Sequence, residues 1–249
     1  MAKLAIRGGT PVRSQPFPSY RTIGEEEKLA VMEVMDRGVL SQFQGEDGPN
    51  FLGGPKVREL EKTWCDYLGT RHAVAVNSAT SGLNAAIGAL GIAPGDEVIC
   101  TPYTMSASAT CALVYHAIPV FADVDADTFN LDPEAVRRVI TPRTRAIVVV
   151  HLFGQPANMD GIMAIAREHH LKVVEDAAQA PGATYKGRPV GTIGDIGVFS
   201  LNYHKHIHTG EGGICTTNDD DLALRLALIR NHGEVVVGSK GVLDIANTV

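Results

Sequence analysis

The chain has 249 residues, of which 45% are hydrophobic and 20% charged, with a formal net charge of -6. That balance suits a globular protein with a sizeable core and argues against disorder, nucleic-acid binding and adhesion to anionic lipid. Cys65, Cys100, Cys111 and Cys215 form no C-x-x-C pair and stand in apolar contexts, so buried reduced thiols are expected.

The start, "MAKLAIRGGTPVR", has no apolar stretch long enough for export, and "RAIVVVHLFG" is too short to span a bilayer. A cytoplasmic protein with no membrane partner is the expectation. Residues 1–22 and 38–55 are rich in Gly, Pro and Ser and are expected to wrap the surface; helices are predicted over 24–37 and 56–68. From there short apolar runs alternate with segments of helical period. Strands are predicted at 72–76, 97–101, 120–124, 146–152, 172–177, 196–201 and 212–217, and helices at 80–91, 106–117, 132–140, 158–170 and 219–232. Asp132-Pro133 is a good helix start, since Asp caps free amides and Pro tolerates the first turn. Asp219-Asp220-Asp221 suits the positive end of a helix in the same way.

Strands that are apolar throughout and joined by helices imply a mostly parallel sheet covered on both faces, a three-layer α/β/α architecture. Only ten residues separate the runs at 196–201 and 212–217. That is too few for a helical crossover, so these two strands should be antiparallel or non-adjacent. The expected organisation is an N-terminal arm and helix over 1–55, one large α/β domain over 56–233, and the start of a truncated region over 234–249. The last of these, "EVVVGSKGVLDIANTV", stops on apolar residues and reads as cut.

Ligands of open α/β sheets bind beyond the carboxyl ends of the strands, and three residue groups fall there. In "VNSATSGL", 76 to 83, a strand meets a helix through Ser78, Thr80 and Ser81, which suits either simple N-capping or a phosphate cradle. In "KVVEDAAQ", 172 to 179, Glu175 and Asp176 end an apolar strand. A buried acid needs a partner, either a structural ion pair or a cationic ring nitrogen with Gln179 nearby. In "FSLNYHKHIHTGEGGI", 199 to 214, Lys205 stands among three histidines. If extended, His204, His206 and His208 would share one face and could bind zinc; the alternatives are a solvated loop and a lysine held for covalent chemistry. A phosphate cradle, an acid for a ring nitrogen and a following lysine are together what pyridoxal phosphate requires.

The stretches "LGIAPGDEVICTPYT", "AIPVFADVD", "TPRTRAIVVVHLFGQPANMD", "VVEDAAQAPGATYKGRPVGTIGDIGVFSLNYHKHIHTGEGG" and "IRNHG", in this order between 56 and 233, resemble the DegT/DnrJ/EryC1/StrS sugar aminotransferases. The resemblance implies the large domain of a fold-type I, pyridoxal-phosphate-dependent transferase that works as a homodimer. It implies Lys205 as the Schiff-base and proton-transferring lysine, Asp176 as partner of the pyridine nitrogen and Gln179 beside the 3-hydroxyl. The amides of Ala79 and Thr80, the Thr80 hydroxyl and Ser200 would hold the phosphate. Glutamate or glutamine would donate the amine to a nucleotide-linked keto sugar or a keto-cyclitol; the "LAIRGGTPVR" start resembles cyclitol aminotransferases. Relatives with His at the lysine position are dehydratases, so Lys205 favours amine transfer over dehydration or aromatisation, the alternative chemistries of the scaffold.

Three features depart from the family pattern. Met105 stands where an aromatic ring usually stacks on the cofactor, and Asn202 where His is frequent. Family members also continue past residue 249, which leaves a non-catalytic, truncated subunit as a further reading.

Overall fold

The computed structural model describes residues 3–18, 20, 22–45, 48 and 50–233. The region 234–249, expected to begin a truncated segment, lies outside the described residues. The chain divides into two units, 1–41 and 42–249. The first carries helix α1 (Glu25–Arg37), entered by a capping box in which Glu27 accepts from the Gly24 amide, and it buries none of its residues.

The second unit holds a seven-stranded sheet. Its strands in chain order are β1 (His72–Val76), β2 (Glu97–Cys100), β3 (Ile118–Phe121), β4 (Thr144–Val150), β5 (Lys172–Asp176), β8 (Ile196–Ser200) and β9 (Gly213–Thr217); β6 (Thr184–Tyr185) and β7 (Arg188–Pro189) form a separate hairpin. The sheet order is β1-β9-β8-β5-β4-β2-β3. All neighbours are parallel except those of β9, which runs antiparallel to β1 and to β8. The short connection from Leu201 to Gly212 thus joins adjacent antiparallel strands.

Six helices flank the sheet: α2 (Pro55–Leu68), α3 (Ala79–Ala89), α4 (Ala107–Leu113), α5 (Pro133–Val139), α6 (Met159–His169) and α7 (Asp220–Arg230). Strand alternation splits the core between two faces. Val98, Val148, Val174 and Val198 pack with Leu83, Ile87 and Leu226 of α3 and α7. Ile99, Ile147, Val149 and Val173 pack with Val136, Ile162 and Ile165 of α5 and α6. A third cluster sets Trp64 and Leu68 of α2 against Phe199 and Ile214, with Trp64 and Phe199 edge to face at 5.4 Å. Each such buried side chain contributes about 1.5–3 kcal/mol, which explains why strands buried on both faces are apolar throughout.

The caps form as anticipated. Asp132 accepts from the amides of Glu134 and Ala135, and Asp219 accepts from Leu222. Elsewhere the structure shifts the expectation. The run expected at 120–124 begins as a strand at Ile118, because Pro119 has no N–H to donate and is tolerated on the sheet's edge strand. The helix expected to reach 117 stops at Leu113, and the chain turns through His116 at φ 57°. The β6–β7 hairpin was not anticipated; Lys186 and Gly187 both take positive φ, 50° and 81°, as a tight two-residue turn requires. Cys100, Cys111 and Cys215 are buried, but Cys65 on α2 is only half-buried; all four are free thiols.

The turn at 191–194 presses on β8, and Gly197 makes that approach feasible. A Cβ there would lie 2.1 Å from the Gly191 carbonyl oxygen, a backbone atom with nowhere to go. Gly197→Ala is expected to cost about 3 kcal/mol of stability, read as a lower urea midpoint at unchanged m-value.

Candidate active site

Four strand ends converge on one edge of the sheet. In the register, Gly213 opposes both Val76, the last residue of β1, and Ser200, the last of β8. Asp176 ends β5 next to β8. The residues singled out from sequence, Ala79, Thr80, Met105, Asp176, Gln179, Ser200 and Lys205, line a single cleft of about 370 Å³. A larger cleft of about 700 Å³ beside Arg230 contains none of them. There Arg230 pairs with Glu61 at 2.8 Å and lies over the Phe43 ring, and Glu61 also accepts from the Ala75 amide on β1. The smaller cleft holds the convergent lysine and buried acid, the combination that marks a reactive site.

The cradle at the start of α3 comes from local chemistry. Ser78 caps the helix by accepting from the Ser81 amide at 3.1 Å. The first-turn amides of Ala79 and Thr80 have no carbonyl behind them in the helix and face the cleft at its positive end. Capping and cradle are therefore compatible: one side chain serves the third amide and the first two stay open. Gly213 closes the floor, since a Cβ there would sit 2.6 Å from the Ser78 carbonyl carbon and 2.7 Å from the Ala79 nitrogen.

The two successive acids separate by face. Glu175 is fully buried and accepts from the Gly191, Ile193 and Gly194 amides at 2.8, 2.6 and 2.7 Å. His151 Nε2 is 2.9 Å away. Because His151 Nδ1 accepts from the Ala157 amide at 3.1 Å, the ring proton sits on Nε2 and donates to Glu175. Glu175 is thus the structural acid. Asp176 faces the cleft, 6% exposed, with Ser108 Oγ donating to Oδ2 at 2.7 Å and the Ala178 amide donating to Oδ1 at 3.1 Å. Burial pushes its carboxyl above the usual range, opposed by those two bonds and by the charge of Lys205. Gln179 Oε1 accepts from the Phe153 amide at 2.8 Å, which leaves its NH2 group as the polar end available to the cleft.

The stretch from Leu201 to Gly212 is not extended, so the shared histidine face required for a zinc row does not form. The loop is closed at its neck by Leu201 N–H to Gly212 O at 2.9 Å and Thr209 N–H to Leu201 O at 2.9 Å. Within it Tyr203 donates to Gly210, and Lys205 to Asn202. Tyr203 stands edge-on to the rings of His204 and His208. Among the described residues no three His, Cys, Asp or Glu side chains gather closely enough to hold a metal. Asn202 bonds Glu211 at 2.7 Å and accepts from the His204 amide at 3.1 Å, so it braces the loop from within. Met105 is 69% exposed over the cleft.

Sequence reasoning missed Ser108, Thr104, His151 and Gly213. The last two left a trace, a histidine near the end of the run "AIVVVHL" and a glycine pair opening the run "GGICTT". Ser108 and Thr104 left none beyond their polarity.

The sequence pattern of the DegT/DnrJ/EryC1/StrS aminotransferase family matches residues 22–243. GDP-perosamine synthase of Caulobacter vibrioides is 50% identical over 207 residues, 83% of this chain and 53% of that protein. L-glutamine:2-deoxy-scyllo-inosose aminotransferase of Streptomyces lividus is 38% identical over 248 residues, 98% of this chain and 58% of that protein. Among solved structures, NtdA of Bacillus subtilis with bound cofactor PMP superposes with a TM-score of 0.70 at 32% identity, over 81% of this chain and 43% of that one. The chain thus spans about half the length of the curated relatives it matches.

Glu175→Ala is expected to lower stability by about 3–5 kcal/mol, because it orphans one buried and two half-buried amides and the buried His151 proton. A thermal melt or urea titration reads the loss; a drop under about 1 kcal/mol would contradict the structural role.

Proposed function

This chain belongs to the DegT/DnrJ/EryC1/StrS aminotransferase family, and from that premise we propose that its cleft serves pyridoxal-phosphate-dependent transfer of an amine to a keto sugar or keto-cyclitol. The observation that carries the reading is the meeting of Lys205 and the buried Asp176 in one cleft above the N-terminus of α3.

The donor set suits the cofactor. The open amides of Ala79 and Thr80, with the Thr80 and Ser200 hydroxyls, offer a phosphate neutral donors and a helix dipole. Asp176 is a buried carboxylate whose hydrogen bonds come from a neutral hydroxyl and a neutral amide, so a protonated ring nitrogen would balance its charge. The NH2 group of Gln179 would meet the 3-hydroxyl, and Met105, polarizable and apolar, would cover the ring in place of an aromatic side chain. When bound, pyridoxal phosphate supplies an electron sink for a carbanion. Lys205 would hold it covalently through Nζ; after release, Nζ would take and return the proton at the amine-bearing carbon. The loop closed at Leu201 and Gly212 would keep that amine over the cleft.

Glutamine or glutamate is the proposed donor, consistent with the glutamine-dependent Streptomyces relative, and a nucleotide-linked keto sugar or keto-cyclitol the proposed acceptor. A homodimer is part of the reading. Large side chains stand exposed near the cleft residues, Tyr103 and Tyr203 beside them in sequence and Phe153 in a 3-10 turn whose amide bonds Gln179, an arrangement that favours burial by a second copy. A cytoplasmic setting belongs to the same proposal; no described helix is long and apolar enough to cross a membrane.

Adding pyridoxal phosphate, reducing with borohydride and mapping peptides should place the label on Lys205, with none in Lys205→Ala. Prior incubation with glutamine or glutamate should diminish the label. A folded sample that takes no label on Lys205 would sink the reading. Gly213→Ala, which drives a Cβ into the cradle, should weaken cofactor binding by about tenfold or more, the equivalent of roughly 1.4 kcal/mol, as followed by absorbance titration.

A further inference from the structure

Resting on the reading above, we propose that Ser108 is a positioning residue that aims Asp176 and keeps it ionised for a cationic ring, with Thr104 as the second hydroxyl of a directed relay. Ser108 lies in the first turn of α4 and is completely buried. Its hydroxyl donates to Asp176 Oδ2 at 2.7 Å, while Thr104 Oγ1 is 3.3 Å from Ser108 Oγ and lines the cleft.

The direction of the chain follows from valence. An ionised carboxylate only accepts, so the single Ser108 proton is committed to Asp176. The Ser108 oxygen can then only accept from Thr104, and the Thr104 hydroxyl points its proton at Ser108. Both hydroxyl dipoles are thereby oriented with their positive ends toward the carboxylate. If Asp176 were protonated it would become a donor and the chain would lose that enforced direction. The relay and the ionised acid therefore select each other.

The groups facing Asp176 from other elements are few. Ala178 donates its amide from the following turn, His151 approaches from the end of β4 and Lys205 from its loop. Cys111, one turn along α4, bonds the Ser108 carbonyl at 3.4 Å and is itself pushed up to about 12 by burial, so it stays a neutral thiol. His151 has its Nε2 proton directed at Glu175, which is the wrong face to replace Ser108. Among the described residues Ser108 is therefore the one side chain that hydrogen-bonds Asp176. Its geometry fixes the torsion of the carboxyl group as well as its charge.

The test compares Ser108→Ala and Ser108→Thr with the unmodified chain in two measurements. The first follows Asp176 ionisation without cofactor by carbon NMR of the aspartate carboxyls, with Asp176→Asn assigning the resonance. Ser108→Ala should move the titration midpoint to higher pH, and Ser108→Thr should restore it. The second is pyridoxal phosphate affinity across pH 6–9. Ser108→Ala should weaken binding about tenfold, most at low pH, because a neutral Asp176 cannot pair with a protonated ring. As pH rises the carboxyl ionises and part of the loss returns, so the acid limb of the profile moves up. An unchanged midpoint and profile in folded Ser108→Ala protein overturns the proposal. So does Ser108→Thr failing as badly as Ser108→Ala, which would assign the effect to packing. If the unmodified chain binds no cofactor while the NMR midpoint still shifts, the cofactor reading falls and the role of Ser108 toward Asp176 stands.

Discussion

The end of β5 imposes the constraint on which the site depends. Two consecutive carboxylates in a strand must point to opposite faces, and in a sheet covered on both sides each must find buried partners. Glu175 follows the face of Val173 and meets three amides of the 191–194 turn and the His151 ring. Asp176 follows the face of Val174 and meets Ser108 of α4. The first acid is satisfied by structure and nails a turn to the sheet. The second is satisfied in part, by the neutral Ser108 hydroxyl and Ala178 amide, and lines the cleft. One strand end thus supplies both the anchor and the reactive environment, and neither role could be exchanged without reversing the strand's register.

Around that end the topology gathers the other parts. Running β9 antiparallel brings its first residue, Gly213, to the edge where β1 and β8 finish. The open amides of α3, the hydroxyl of Ser200 and the lysine loop therefore meet without any long excursion of the chain. Backbone hydrogen bonds at its neck and the Asn202 and Thr209 side chains hold the loop's shape from within.

How much of this the sequence discloses depends on where each signal resides. Buried strands announce themselves because most of their residues must be apolar; β2, β4, β5, β8 and β9 were located within two residues. The edge strand β3 was shifted because half of its surface is exposed and Pro119 reads as a breaker. The short hairpin of Thr184 to Pro189 has too few residues to show alternation. The residues alone left the work of Glu175 and Asp176 undivided, since neighbouring acids look alike until a face is assigned; only the family resemblance singled out Asp176. The three histidines around Lys205 suggested a row only under the assumption of an extended chain, which the loop's internal hydrogen bonds cancel. Ser108 stayed hidden because a serine in a helix gains meaning only from what lies across the interior.

The placement of β9 also bears on how the molecule comes into being. His72 pairs with Thr217, so among the described residues the first strand of the sheet gains its one neighbour from the last. Contacts between segments so far apart in the chain close slowly, because the intervening loop must be ordered first. The central strands, whose partners lie nearer, can assemble while β1 waits. During synthesis the helix start at Ser78 therefore leaves the ribosome early yet acquires its floor, Gly213, late. The open end of α3 is therefore made well before the strand that closes beneath it.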